Sequence, residues 1–337
     1  MVVGVLRAAP IRPTCNAASM QFEADLEAAR ARSADAVVRT PVWRSDELDA
    51  ALGCEVWLKC ESLQRTGSFK LRGATNAVRS LPAGTRGVVA VSSGNHAQAV
   101  AYAGRAAGLP VTVVMNADAN AAKVKSTLGY GAKVVSDGVD PTNREEIARD
   151  LAEREGLALV HPFDDWNVIA GQGTAALELF EEVEGLDAIV TPIGGGGLLS
   201  GTALACRLAA PSTRAYGAEP AASPDARRSL AEGRRVRLDY APQTISDGAR
   251  TVQIGVRTFA VLSELCAGIS LVDDDAARAA MALVWDTTKL LIEPTSALAI
   301  AAVAAGAVPG ERIGVVLTGG NVDARALAET IRVEETV

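Results

Sequence analysis

The chemistry open to this chain centres on a lysine set between two glycines and beside an aromatic residue, in Thr66-Gly67-Ser68-Phe69-Lys70-Leu71-Arg72-Gly73-Ala74. A lysine taken out of water sheds its charge and becomes an amine able to attack a carbonyl carbon. Three further runs offer complementary groups. Ser92-Ser93-Gly94-Asn95-His96 brings hydroxyls, an amide and backbone N–H groups to a strand-to-helix junction. Gly194-Gly195-Gly196-Gly197-Leu198 leaves N–H groups unshielded at a helix start, where the donors and the helix dipole favour an anion. Thr318-Gly319-Gly320-Asn321 puts a hydroxyl at the end of a buried strand, where open α/β sheets bind ligands.

Each run also has a plain structural role. Serine and asparagine cap helices, so 92–96 serves as an N-cap. Glycines at 194–197 permit close strand–helix packing, and 318–321 is an ordinary strand-end turn. His96, one of two histidines, suits a satisfied, partly buried imidazole. Gly195, Gly197 and Gly201 with Glu219 imitate a dinucleotide fingerprint, but the spacing is G-x-G-x-x-x-G and the motif sits mid-chain. Taken together, an amine, a polar helix start, an anion cradle and a hydroxyl are the parts needed to hold pyridoxal phosphate. A separate oxygen-rich loop, Glu219-Pro220-Ala221-Ala222-Ser223-Pro224-Asp225, has spacing suited to Mg²⁺ or Ca²⁺, or to two solvated acids.

Strand-like apolar runs alternate with helix-like stretches through most of the chain and must position these groups. Strands are expected near 56–58, 87–91, 111–115, 133–135, 157–160, 188–191, 214–218 and 313–317. Helices are expected over 95–107, 119–128 and 141–155. This alternation implies parallel sheets with crossover helices. The 337 residues are 49% hydrophobic but only 4% aromatic, so Ala, Val, Leu and Ile must build the core. The division expected is a leader and N-terminal arm over 1–33, a small α/β domain over 87–160, and a large domain from 34–86 and 161–337. Residues 1–19 suggest a disordered leader or sequence upstream of a start at Met20, and 221–250 suggests an irregular surface excursion or lid.

A net charge of −7 and the lack of a basic block argue against nucleic-acid or anionic-membrane partners. No apolar run reaches the length of a membrane span, and a secretory signal is not expected. Five dispersed cysteines without a Cys-x-x-Cys pair give neither a disulfide framework nor a zinc site. A cytoplasmic enzyme is the expectation.

Residues 34–325 resemble the serine/threonine dehydratase and serine racemase family of fold-type II pyridoxal-phosphate enzymes. The resemblance is carried by Thr40-Pro41, Lys59-Cys60-Glu61, Thr66–Ala74, Asn76-Ala77-Val78, Ser92–His96, His161-Pro162, Val168–Thr174, Gly194–Gly197, Ala218-Glu219-Pro220, Asp247-Gly248, Leu290–Pro294 and Gly319–Val322. It implies a two-domain α/β fold like that of the tryptophan synthase β chain, with parallel sheets flanked by helices, and a homodimer. It further implies that Lys70 is the Schiff-base lysine and that Asn95 bonds the cofactor's phenolic oxygen. Gly194, Gly195, Gly196, Gly197 and Leu198 would hold the phosphate, and Thr318 would face the pyridine nitrogen. Ser92, Ser93, Asn95 and His96, aided by Arg144, would hold the substrate carboxylate. Ser93 lies where racemising members place a second acid or base. Glu219, Ser223 and Asp225 match the cation ligands of metal-binding members.

The implied reaction is elimination from a β-hydroxy L-amino acid, such as L-threonine or L-serine, to a 2-oxo acid and ammonia. Racemisation of serine or hydroxyaspartate is the alternative, and β-replacement fits less well because those enzymes resemble a different lysine run. A nicotinamide dehydrogenase or a non-catalytic binding module would leave the Lys70 run unexplained. Phe163, Ser246, Asn116 and the run Glu293-Pro294-Thr295-Ser296-Ala297 depart from the family's usual residues. Phe163 stands where a racemase would carry a polar residue. The chain's length leaves no room for the regulatory domain of biosynthetic threonine dehydratases, so feedback inhibition of that kind is not expected.

Overall fold

Runs of Val, Ile, Leu and Ala between glycine- and proline-rich turns form the strands of this computed structural model, which describes residues 5–6, 22, 24–119, 121–140 and 143–323. The strands are β1 (Val5–Leu6), β2 (Val42–Trp43), β3 (Glu55–Cys60), β4 (Val88–Val91), β5 (Val111–Val114), β6 (Lys133–Val135), β7 (Ala158–Leu159), β8 (Ala188–Pro192), β9 (Arg214–Pro220), β10 (Cys266–Val272) and β11 (Arg312–Leu317). The helices are α1 (Leu26–Ser33), α2 (Asp46–Leu52), α3 (Lys70–Arg79), α4 (Asn95–Ala106), α5 (Ala121–Gly129), α6 (Arg144–Glu155), α7 (Trp166–Glu182), α8 (Gly197–Ala209), α9 (Asp225–Glu232), α10 (Val256–Leu265), α11 (Asp274–Thr288) and α12 (Pro294–Ala304).

Two sheets result, one ordered β1-β10-β9-β8-β11-β3-β2 and the other β6-β5-β4-β7. The smaller is parallel throughout. In the larger, only the edge strands β1 and β2 run antiparallel to their neighbours. Central strand β8 is buried along its whole length. A strand covered by helices on both faces has no solvent side, which is why it opens on the apolar run Ala188-Ile189-Val190 and buries Thr191 as well.

Helices α3, α7 and α8 approach backbone to backbone. A Cβ on Gly201 would lie 2.4 Å from the Ile169 carbonyl oxygen and 2.5 Å from the Gly173 nitrogen. One on Gly171 would lie 2.6 Å from the Gly73 Cα. Gly201, the third glycine of the dinucleotide-like pattern, therefore serves helix packing. Both α3 and α8 begin at candidate site residues, so this contact also fixes where those helix starts sit.

Three elements depart from the sequence expectations. Strand β10 is interrupted by Gly268 and Ser270 and lacks a clear apolar alternation, yet five of its seven residues are buried between β1 and β9. Strand β1 falls inside the expected leader, and its Val5 and Leu6 pair with Val272 and Leu271. The other residues of the 1–19 leader lie outside those described. The supposed lid at 221–250 is packed: it contains α9 and buries Val236, Leu238 and Ala249. Among the described residues, no helix is long and apolar enough to cross a membrane.

Candidate active site

Lys70 opens α3, and the loop before it is stitched to the end of β11. The Phe69 N–H donates to the Thr318 carbonyl at 3.0 Å, and the Gly320 N–H donates to the Gly67 carbonyl at 3.0 Å. Gly67 has φ +70°, and a Cβ there would lie 2.3 Å from Asn321 Oδ1, so glycine is required twice over. The Lys70 side chain is partly buried, and its Nζ donates to the Pro162 carbonyl at 2.9 Å. Burial pushes the amine down to about 8, against an opposing pull from the Glu293 charge. Such an amine is a far better base and nucleophile near neutrality than an ordinary lysine.

Two residues along α3, Arg72 anchors the helix from below. Its guanidinium is fully buried and meets both Glu61 oxygens at 2.8 Å and both Glu178 oxygens at 2.7 Å. Lys59, also fully buried, pairs with Glu178 at 2.7 Å. Burial alone would raise the Glu178 carboxyl, but Arg72 and then Lys59 hold it below its usual range. Two cations and two carboxylates thus cancel in the interior, joining β3, α3 and α7. Buried charges persist only with such partners. The network leaves α3, and so Lys70, little freedom to shift.

The glycine run forms the turn from β8 into α8. Gly196 has φ +93°, a left-handed conformation that favours glycine. A Cβ on Gly195 would fall 2.3 Å from the Phe163 ring, and one on Gly194 would fall 3.0 Å from the Ala249 Cα. The cradle is walled by Phe163 on one side and by residues 247–249 on the other. The Thr258 hydroxyl pins it by donating to the Gly195 carbonyl at 2.7 Å. N–H groups at this helix start are those a helix leaves without internal acceptors, and Leu198 lies within its first turn.

Asn95 opens α4 beside these groups. Its Nδ2 donates to Glu293 Oε1 at 2.8 Å, and its Oδ1 accepts from Asn321 Nδ2 at 2.9 Å. Ser92 Oγ accepts from the Gly94 N–H at 3.1 Å, and Ser93 Oγ accepts from the Asn116 N–H at 3.3 Å. His96 follows in the same helix start, with its side chain directed inward. Its imidazole is 2% exposed, with Nε2 set 3.1 Å from the Val160 carbonyl. Burial, reinforced by Lys70, pushes its pKa down to about 3, so the ring is neutral and turned beneath the loop. Arg144 begins α6, partly buried, with a buried Nε that has no hydrogen-bond partner among the described residues.

Lys70, Thr318 and Asn95 are therefore joined through one hydrogen-bonded loop, and Pro162-Phe163 connects Lys70 to the glycine cradle. Several contributors lie in or beside runs that the sequence singled out, but it assigned them none of these roles: the Pro162 carbonyl as an acceptor, Phe163 as a wall, Asn321 as a bridge and Glu293 as a buried partner. Glu293 is 4% exposed and pushed up to about 7 by burial and then by the Asp247 charge. An acidic residue before a proline at a helix start has an ordinary solvated form, and only the tertiary fold buries this one. The residues present fit pyridoxal phosphate. They offer a neutralisable amine, a helix start closed to any Cβ, and a buried Thr318 hydroxyl without a partner among the described residues.

The second candidate site lies at the end of β9. Glu219, near the end of β9, and Asp225, which opens α9, are fully buried. The Glu219 carboxylate accepts from the Ala226 and Arg227 N–H groups at 2.7 and 3.0 Å. Ser223 Oγ donates to the Thr251 carbonyl at 2.6 Å, while Asp225 Oδ2 is buried without a partner among the described residues. Burial raises both carboxyls, that of Asp225 to about 7, and the Asp225 charge raises Glu219 further. They are not solvated surface acids. Among the described residues, no group of three or more His, Cys, Asp or Glu is placed to hold a metal ion.

Comparison with known proteins agrees with this geometry. The family profile described as "Pyridoxal-phosphate dependent enzyme" matches residues 34–319. The chain is 46% identical to an L-threo-3-hydroxyaspartate ammonia-lyase of Pseudomonas sp, over 87% of this chain and 93% of that protein. It is 41% identical to a serine racemase of Dictyostelium discoideum, over 91% of this chain and 97% of the relative. Among solved structures, a threonine deaminase from T.th. superposes with a TM-score of 0.85 at 47% identity, covering 88% of this chain and 97% of the other.

Proposed function

Since this chain belongs to the pyridoxal-phosphate dependent enzymes, we propose that it is an ammonia-lyase acting on a β-hydroxy L-amino acid. L-threonine, L-serine and L-threo-3-hydroxyaspartate are the substrate candidates, and the products are a 2-oxo acid and ammonia. One observation carries the proposal: the Lys70 amine, pushed down to about 8, sits where the glycine cradle, the Asn95 helix start and the Thr318 strand end meet. Relatives named as ammonia-lyases and a deaminase support it.

When bound, the cofactor supplies an electron sink for the carbanion formed at the substrate Cα. The N–H groups from Gly194 to Leu198 would hold its phosphate, Asn95 would donate to its phenolic oxygen and Thr318 would face its pyridine nitrogen. Ser92, Ser93 and the helix start at Asn95 and His96 hold the substrate carboxylate, with Arg144, at the start of α6, as the cationic donor. Lys70 Nζ takes the Cα proton, and a base of pKa near 8 is matched to that task around neutral pH. The β-hydroxyl departs as water with the proton that Lys70 Nζ has taken from Cα, and the released enamine tautomerises to an imine and hydrolyses to 2-oxo acid and ammonia.

Racemisation is the second reading, favoured by the serine racemase relative and by the Ser93 hydroxyl beside the Asn95 helix start. Phe163, set against the cradle where a racemase would carry a polar residue, favours elimination. The proposal includes a Mg²⁺ or Ca²⁺ ion held by Glu219, Ser223 and Asp225, supported by the partnerless buried oxygen of Asp225. It also includes two domains, 87–160 and the remainder from 34 onward, in a cytoplasmic homodimer. Assay of 2-oxo acid release across the three candidate substrates, with chiral analysis of recovered amino acid, tests the reaction. Release faster than enantiomer interconversion is expected. Interconversion that outpaces release on every substrate overturns the lyase assignment.

A further inference from the structure

Asn95 has a hydrogen-bond inventory that Glu293 and Asn321 fix between them. A neutral amide offers two N–H donors and one carbonyl oxygen. Its oxygen is taken by Asn321 Nδ2, whose other N–H donates to the Thr66 carbonyl at 2.8 Å. One Asn95 N–H goes to Glu293 Oε1 at 2.8 Å. The second has no acceptor among the described residues. Glu293 Oε1 accepts from the nitrogen of Asn95 while Asn321, held by the Thr66 carbonyl, gives its N–H to the oxygen, and the two together settle which way the amide points.

Glu293 is itself held from several sides. Its own N–H donates to the Gly319 carbonyl at 2.9 Å, and a Cβ on Gly319 would fall 2.7 Å from its Oε1. The Asn321 N–H stabilises its charged form. The charged groups facing it are Asp247 from the turn beside the cradle, Lys123 from α5 and Lys70 from α3. Asp247 and Lys123 pair with each other. A carboxylate this enclosed has few geometries open to it, which suits a group whose task is to orient another.

We propose that Glu293 is a positioning residue that locks the Asn95 amide so that its remaining N–H faces the bound cofactor. The proposal rests on the reading of Asn95 as a cofactor contact. A double-mutant cycle on cofactor affinity, measured by absorbance after equilibrium dialysis of the holoenzyme, separates the two. Asn95→Ala is expected to weaken cofactor binding about tenfold to a hundredfold, the worth of one hydrogen bond to a charged group. Glu293→Ala is expected to fall in the same range, and to add less than about threefold in the Asn95→Ala background, because it acts through that amide. Should Glu293→Ala fold poorly, Glu293→Gln keeps an acceptor without the charge, and its smaller loss must likewise vanish when Asn95 is absent. Unchanged affinity in Glu293→Ala, or a loss that persists in full without Asn95, overturns the proposal and leaves the cofactor reading intact. Unchanged affinity in Asn95→Ala overturns the cofactor contact and the proposal together.

Discussion

Two basic groups at the site, Lys70 and His96, are shifted in the same direction by the same cause. Each is a cation that burial disfavours, and the Lys70 charge lowers His96 further. For Lys70 the consequence is reactivity: Lys70→Ala should lose both the visible absorbance of the bound cofactor and all ammonia release. A borohydride-reducible cofactor adduct surviving in that variant would show that another amine serves. For His96 the consequence is stability. Its folded pKa of about 3 lies below the ordinary value of about 6.5. Between those limits the unfolded chain binds a proton that the folded one refuses, so stability is lost as pH falls through that window. The expected slope from this one group approaches about 1.4 kcal/mol per pH unit. His96→Gln should therefore flatten the acid limb of a urea-denaturation series relative to wild type. Parallel limbs would mean the imidazole is not held neutral.

At the scale of elements, the start of α3 is set by a charge network rather than by an apolar seat. Arg72 and Lys59 are the largest fully buried side chains among the described residues. Removing one member leaves buried charge without a partner, typically a loss of about 3–5 kcal/mol. Arg72→Met should therefore lower the urea midpoint far more than a surface arginine substitution would, because Glu61 and Glu178 lose their shared cation. A change within about 0.5 kcal/mol, the size ordinary surface substitutions show, would mean that water or a proton satisfies the two carboxylates. The glycines of α7 and α8 serve the same positioning by a different route, since backbone atoms rather than side chains meet there.

Across the whole molecule, ligands that bind only the folded chain should raise its stability. A cation on Glu219 and Asp225 would relieve two buried carboxylates whose pKa values burial has raised. Chelation of the purified protein is therefore expected to lower its melting temperature by several degrees, the size that about 2–3 kcal/mol implies at this chain length. A melting temperature indifferent to chelator and to added Mg²⁺ and Ca²⁺ would remove the ion from the proposal.

The sequence by itself determined the parallel α/β class, the Lys70, Asn95, glycine and Thr318 runs, and most strands of both sheets. These signals are local, since continuous apolar runs, glycine turns and helix starts are written in neighbouring residues. Strand β10 was not legible, because Gly268 and Ser270 break its pattern and only its place between β1 and β9 makes it a strand. Burial of Glu293, the inward turn of the His96 ring and the Arg72 network likewise belong to the tertiary structure alone. Each depends on residues far apart in the chain, Asn95 with Glu293 and Arg72 with Glu178 among them. A charged side chain looks the same in sequence whether water or a distant partner receives it. Only the packed molecule decides which, because removal from water is what changes its chemistry.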